Sequence, residues 1–228
     1  MSTTIFTPIL GKRLRVTELS DCGALMSTSR KIVTDGFVTI NLTAETEDGT
    51  EIIVRNAGGA ICINEKAADS FKRFTVEMEF CGVNPSLLAM VTNAEEYENA
   101  AQDIAGITVA EGEITGRFAL ELWTGLAGQG CGDNGESASG YLLLPQVQSG
   151  ILGDIEVGGE DAITFSLSGA YTVGGNSWGT GPYDVALDGD GDPGKLPTAL
   201  DAFDHLLLLL SNVAPPAKAE QPTLVTAP

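Results

Sequence analysis

Positive charge is scarce in this sequence. Twelve lysines and arginines stand against 31 aspartates and glutamates, a formal net charge of −19. Nucleic-acid binding rests largely on basic side chains that neutralise phosphates, so a chain this acidic is a poor adhesive for DNA or RNA. Anionic membranes repel it for the same reason. There is one histidine, His205, placed before five leucines. Ser–His and Cys–His catalysis would both depend on it, and its apolar setting suits a packed or strand-end residue better than a general base. The cysteines, Cys22, Cys62, Cys81 and Cys131, form no CxxC pair that would suggest a zinc or redox centre. Buried or unpaired thiols are expected, with a Cys62–Cys81 bridge as the alternative. The aliphatic run Leu206–Leu210 is far shorter than the ~20 residues that span a bilayer. Residues Met1–Gly11 lack the charged start and apolar stretch of a secretory signal, so synthesis and folding in a cytoplasm are expected.

What is present is a core and many turns. Hydrophobic residues make up 43% of the 228, enough for one large β domain, and 28 glycines suit short strands joined repeatedly. Period-two alternation is strong in three places. Phe74, Val76, Met78 and Phe80 alternate with Thr75, Glu77 and Glu79. Phe118, Leu120 and Leu122 oppose Ala119, Glu121 and Trp123, and Ile163, Phe165 and Leu167 oppose Thr164, Ser166 and Ser168. Phe37–Glu47 and Thr50–Arg55 flank Asp48-Gly49, which predicts a long hairpin with a type I′ turn. Gly58-Gly59, Gly158-Gly159 and Gly174-Gly175 mark further turns. Asn84-Pro85-Ser86 predicts a capped helix near 85–92, with Leu87, Leu88 and Val91 as its apolar face. Residues Asn93–Asp103 extend that helix or form a loop.

The segment Gly125–Gly140 predicts an exposed loop, and the Pro- and Ala-rich stretch 212–228 a flexible tail. Residues 1–11 are assigned as an N-terminal arm and 12–211 as a single domain. The fold class expected is all-β: two packed antiparallel sheets, sandwich- or barrel-like, with one short helix.

Three motif matches lack their structural context. Gly175-Asn176-Ser177-Trp178-Gly179 fits the GxSxG nucleophile elbow, but Thr180-Gly181-Pro182 cannot begin the helix that must follow. Gly130-Cys131-Gly132-Asp133-Asn134-Gly135 fits GxGxxG without a βαβ unit around it. Asp188-Gly189-Asp190-Gly191-Asp192 resembles half of a calcium loop, yet Pro193 and Ala199 stand where glycine and an acid are needed. A solvated acidic turn is expected there, with weak cation binding as the alternative. Trp123, Trp178 and Tyr183 fill a core or an interface, or else form a sugar-stacking platform. No catalytic set, metal site or cofactor is expected.

Several runs taken in order carry a resemblance. They are Arg15-Val16-Thr17 with Asp21-Cys22-Gly23, then Phe118–Thr124, Tyr141–Pro145 and Gly150–Asp154. Gly175–Val185, Asp204-His205 and Val213–Pro216 complete the series. Across about residues 12–216 the chain resembles the major tail subunits of long-tailed bacteriophages that infect actinobacteria. The resemblance implies the tail-tube fold, six-membered rings of identical subunits stacked into a tube, and passage of viral DNA through the lumen. It implies a place in the virion, contacts with other tail proteins and no enzymatic role. The acidic balance suits such a conduit, because repulsion keeps the polyanion off the wall. Glu45, Glu47, Asp48 and Glu51 cluster at the end of the expected hairpin, as a solvated tip or as a lumen-facing acidic wall. The alternatives in function are another virion part, such as a capsid decoration or tail-associated protein, or a carbohydrate-binding β-sandwich.

Overall fold

The computed structural model describes residues 8–126, 138–155, 163–175 and 177–225. It is mainly β, antiparallel throughout, with one short helix, as the alternation predicts. The first strands are β1 (Pro8–Leu19), β2 (Arg30–Thr34), β3 (Phe37–Glu47), β4 (Glu51–Arg55), β5 (Ile61–Lys66) and β6 (Ser70–Phe80). Helix α1 (Pro85–Val91) precedes β7 (Ala94–Glu98), β8 (Ile104–Val109), β9 (Arg117–Leu126) and β10 (Ser139–Gln148). The rest are β11 (Ile151–Leu152), β12 (Phe165–Thr172), β13 (Ala186–Leu187), β14 (Pro193–Gly194), β15 (Leu207–Ser211) and β16 (Ala219–Leu224).

The two packed layers are halves of one hydrogen-bonded sheet, ordered β16-β2-β1-β9-β10-β12-β6-β3. The fold-over occurs at β10. Its first half pairs with β15, and only Val147 and Gln148 pair with β12. The turned layer carries β3 back over β1, so that a Cβ on Gly11 would lie 2.8 Å from the Phe37 ring. Between the layers lies the inner core: Leu14 and Val16 of β1, Phe118 and Leu120 of β9, Val76, Met78 and Phe80 of β6. Helix α1 closes one side with Leu87, Met90 and Val91. Each such side chain contributes about 1.5–3 kcal/mol by leaving water.

The helix begins as its sequence requires. The Asn84 side chain accepts the Ser86 amide at 2.8 Å and Pro85 stands in the first turn, where a missing N–H costs nothing. Of the following residues, Ala94–Glu98 form β7 rather than helix or loop, and 99–103 form the loop that returns to β8.

The β9 alternation does not separate core from solvent. A second core buries its other face, where Ala119 and Trp123 meet Tyr141 and Leu143 under a cover of Trp178, Tyr183, Val185 and Leu196. In β12 the alternation is broken at Gly169, whose φ of +74° and the register shift between Leu167 and Ala170 form a bulge.

The expected tail is corrected. Within 212–228, residues Ala219–Leu224 form β16 on the edge of β2, and Val225 is 5% exposed in the outer core. Pro222, lacking an N–H, sits inside the register shift of this edge strand, the position a sheet tolerates. The expected N-terminal arm is shortened too, because β1 already begins at Pro8. Gly125, Leu126, Ser139 and Gly140, expected in an exposed loop, lie in β9 and β10; Gly158-Gly159 lies outside the described residues.

Candidate assembly surface

Beyond Glu47 the chain leaves the large sheet. The expected hairpin turn at Asp48-Gly49 is not a turn, because β3 pairs with β6 and β4 pairs with β5. Neither residue has the positive φ of a type I′ turn. Gly49 is instead a crossing point. A Cβ there would strike the Ala67 carbonyl, so only glycine lets the two strands pass this closely. Its amide donates to Asp69 Oδ1 at 2.9 Å, and Lys66 Nζ pairs with the same oxygen at 2.9 Å. The Gly49 amide and Lys66 hold the Asp69 carboxyl below its ordinary range.

From this elbow β4 and β5 project as a two-stranded arm. Its turn is Asn56–Ala60, where Asn56 Oδ1 accepts the amides of Gly58 and Ala60 and Gly59 takes φ +86°. Every residue of both strands is exposed. The register puts Ile52, Val54 and Ile63 on one face and Ile53 with Arg55 on the other. These four aliphatic side chains are 44–54% exposed. An isolated two-stranded ribbon is marginal in water, and clustered exposed apolar residues mark an interaction surface.

The acidic cluster lies at the elbow rather than at a tip. Its basic partners, Arg73 and Lys66, come from across the ladder rather than from nearby in sequence. Glu45 accepts Thr75 Oγ1 at 2.6 Å and Arg73 Nε at 2.7 Å, and these two bonds lower its carboxyl from the usual range. Asp48 is 90% exposed and reaches Lys66 Nζ only at 3.8 Å. Glu47 and Glu51 are exposed, Glu51 opposite Lys66 in the register.

A second ribbon, β7–β8, was not legible beforehand. Its inner face holds the buried Ala94 and Glu96, which accepts Arg30 at 2.7 Å. Its outer face presents Tyr97, 57% exposed, opposite Gly106, with exposed Glu95 and Thr108 beside them.

The chemistry-bearing motifs are structural wherever they are described. Ser177 donates to the Gly23 carbonyl at 2.9 Å, while His205 Nδ1 lies 2.7 Å from Thr172 Oγ1, so no serine–histidine pair forms. Asp188 Oδ1 accepts the amides of Asp190 and Asp192, tying the acidic turn to its own backbone. Trp123, Trp178 and Tyr183 are buried in the outer core, which removes the sugar platform. Cys22, Cys62 and Cys81 are exposed rather than buried, and Cys62 and Cys81 do not bridge. Cys131 and the GxGxxG match lie outside the described residues.

Sequence reasoning also missed a buried ion pair. Arg15 donates twice to Glu121 at 2.5 Å, and Tyr141 donates to the same carboxylate at 2.7 Å. Burial opposes charge on Arg15, but Glu121 carries its guanidinium above the ordinary value. Tyr183 stacks on that guanidinium and meets the Thr17 hydroxyl at 2.9 Å. Burial pushes its own phenol up to about 12, against the Thr17 hydrogen bond. All four groups are partnered, so the network orients core residues. The signal in the sequence was a lone glutamate between Leu120 and Leu122.

No known protein family matches this chain, and no curated protein matches it either. Among the described residues, no helix is long and apolar enough to cross a membrane, and no group of three or more His, Cys, Asp or Glu is placed to hold a metal ion.

Proposed function

We propose that this chain is a structural subunit that assembles with copies of itself, and that the assembly is the tail tube of a long-tailed bacteriophage. The observation that carries the reading is the arm, a ribbon with apolar residues on both faces and, among the described residues, nothing from its own subunit over it. Burying those residues between subunits gives the arm the packing it lacks alone. The large sheet supports the same reading, since among the described residues β3 and β16 have unpaired edges that a neighbour can cover. The acidic surplus suits a conduit that must let DNA slide without adhesion.

In this reading, which the resemblance across residues 12–216 supplies, six subunits close a ring and rings stack in the virion beside other tail proteins. Glu47, Asp48 and Glu51 are the carboxylates of the elbow left to face DNA, Glu45 being held by Arg73 and Thr75. Negative-stain electron microscopy of concentrated protein, and of virions carrying it, is the test. Repeating rings with a central channel are expected. A strictly monomeric protein that is absent from any virion tube would overturn the reading, and its presence on a capsid surface would make it a decoration protein.

A further inference from the structure

If the arm is an assembly element, its seat on the neighbour has to match it in shape and charge. Basic residues are so few here that they restrict the choice. Arg55 and Lys66 lie on the same face of the arm as Ile53. Lys66 is engaged by Asp69. Arg55, among the described residues, has only the Gly59 carbonyl as partner, at 3.1 Å. It is a cation at the outer end of an apolar ribbon, with no carboxylate of its own.

The complementary surface is the outer face of β7–β8. From Phe74 to Gly116 the chain holds eight acidic residues and no lysine or arginine. Within that stretch the ribbon sets the exposed Tyr97 ring opposite Gly106, where an added Cβ would meet nothing within 4 Å. Glu95 is exposed beside Tyr97 on this face, and Glu98, on the other face by alternation, is exposed at the end of the ribbon. Glu96, between them on the inner face, is already spent on Arg30. The outer face is therefore an aromatic platform beside a bare glycine, with the unpaired Glu95 carboxylate on it and Glu98 at the ribbon's end. An arginine with an adjoining isoleucine fits that surface, through ring stacking and charge-assisted hydrogen bonds.

We propose that the Ile53–Arg55 face of the arm of one copy lies on the Tyr97–Gly106 face of β7–β8 of a second copy, with Arg55 against Glu95 and toward the ribbon end that carries Glu98. This rests on the self-assembly reading and adds the partner surface to it. The two surfaces differ, so the contact is head-to-tail. Such a contact propagates from copy to copy and closes a ring when the rotation allows. The other arm face, with Ile52, Val54, Ile63 and Glu65, carries no cation and is not part of the pairing.

Charge reversal tests it. Arg55→Glu puts like charges together, and the double variant Glu95→Arg with Glu98→Arg does the same with the opposite sign. Each should need a roughly tenfold or higher protein concentration to assemble, because like charges at an interface are strongly penalised. All three positions are exposed, so melting temperatures should match the parent's. The two variants mixed, or the three changes combined in one chain, should recover assembly, measured by light scattering and electron microscopy. Parent and Arg55→Glu assembling equally well would overturn the pairing and leave self-assembly standing. Loss of assembly in Arg55→Glu without recovery in the mixture would overturn it as well. A parent that never assembles would overturn both.

Discussion

Around Glu121 the protein places a carboxylate out of reach of water and surrounds it with an arginine and a tyrosine hydroxyl. Along β4 and β5 it leaves isoleucine and valine exposed, with no cover among the described residues. Each arrangement inverts the usual distribution of polar and apolar groups. Only the first is compensated within one chain. The buried charge is satisfied within the subunit, whereas the exposed aliphatics have no cover among the described residues. Substitutions in the two regions should therefore be felt in different measurements, subunit stability for one and assembly for the other.

The largest effect belongs to the buried pair. Glu121→Ala leaves the Arg15 guanidinium without a counter-charge in the core and should lower the unfolding free energy by about 3–5 kcal/mol. Replacing both partners with leucine and methionine should cost far less, since no uncompensated charge remains. Urea titration measures both. A loss below ~1 kcal/mol for Glu121→Ala would mean water reaches the site.

Next is β16, part of the body rather than a tail. Truncation after Ala217 removes the edge strand and exposes the site filled by Val225, and should cost about 2 kcal/mol. An unchanged melting temperature would return residues 218–225 to the status of a loose appendage.

A smaller and pH-dependent effect comes from Tyr183. Its phenol ionises near 12 in the folded chain against 10.0 ordinarily. The contribution is whole below pH 10, where both states keep the proton, and is lost as pH rises from 10 toward 12, where only the unfolded chain ionises. Tyr183→Phe gives up the Thr17 hydrogen bond, about 1 kcal/mol, and should lessen the alkaline decline, the rest belonging to Tyr141, whose phenol burial also raises. An equal alkaline decline in the parent and in Tyr183→Phe would assign it to other groups.

How far these regions can be read in the sequence differs as well. Phe74–Phe80 shows its inward set directly, because one face meets the inner core and the other does not. The Asn84-Pro85-Ser86 start was legible because a cap acts within three residues. Phe118–Trp123 was legible as a strand but not as a doubly buried one, since its second cover comes from residues 178–196, distant in sequence. Asp48-Gly49 misled because the same dipeptide serves a tight turn and a close backbone crossing; which one forms depends on Ala67, across the ladder. The arm itself was hidden. Ile52, Ile53 and Val54 look like core residues in any local window, and only the pairing of β3 with β6 shows that no core lies beneath them. Ala219–Leu224 looked like a tail because its proline content outweighs its apolar residues, yet an edge strand needs few of either.

The smallest expected effect on stability is the most informative for function. Ile53→Ser, Val54→Ser and Ile63→Ser combined, which strip both faces of the arm, should change the unfolding free energy of the subunit by no more than about 0.5 kcal/mol per site, as exposed positions do. Sedimentation velocity across a concentration series, run on the parent and this triple variant, tests the central claim most directly. The account predicts large, concentration-dependent species for the parent and a single subunit-sized boundary for the variant at every concentration. Identical sedimentation of the two proteins, whether both assemble or both stay monomeric, would contradict it.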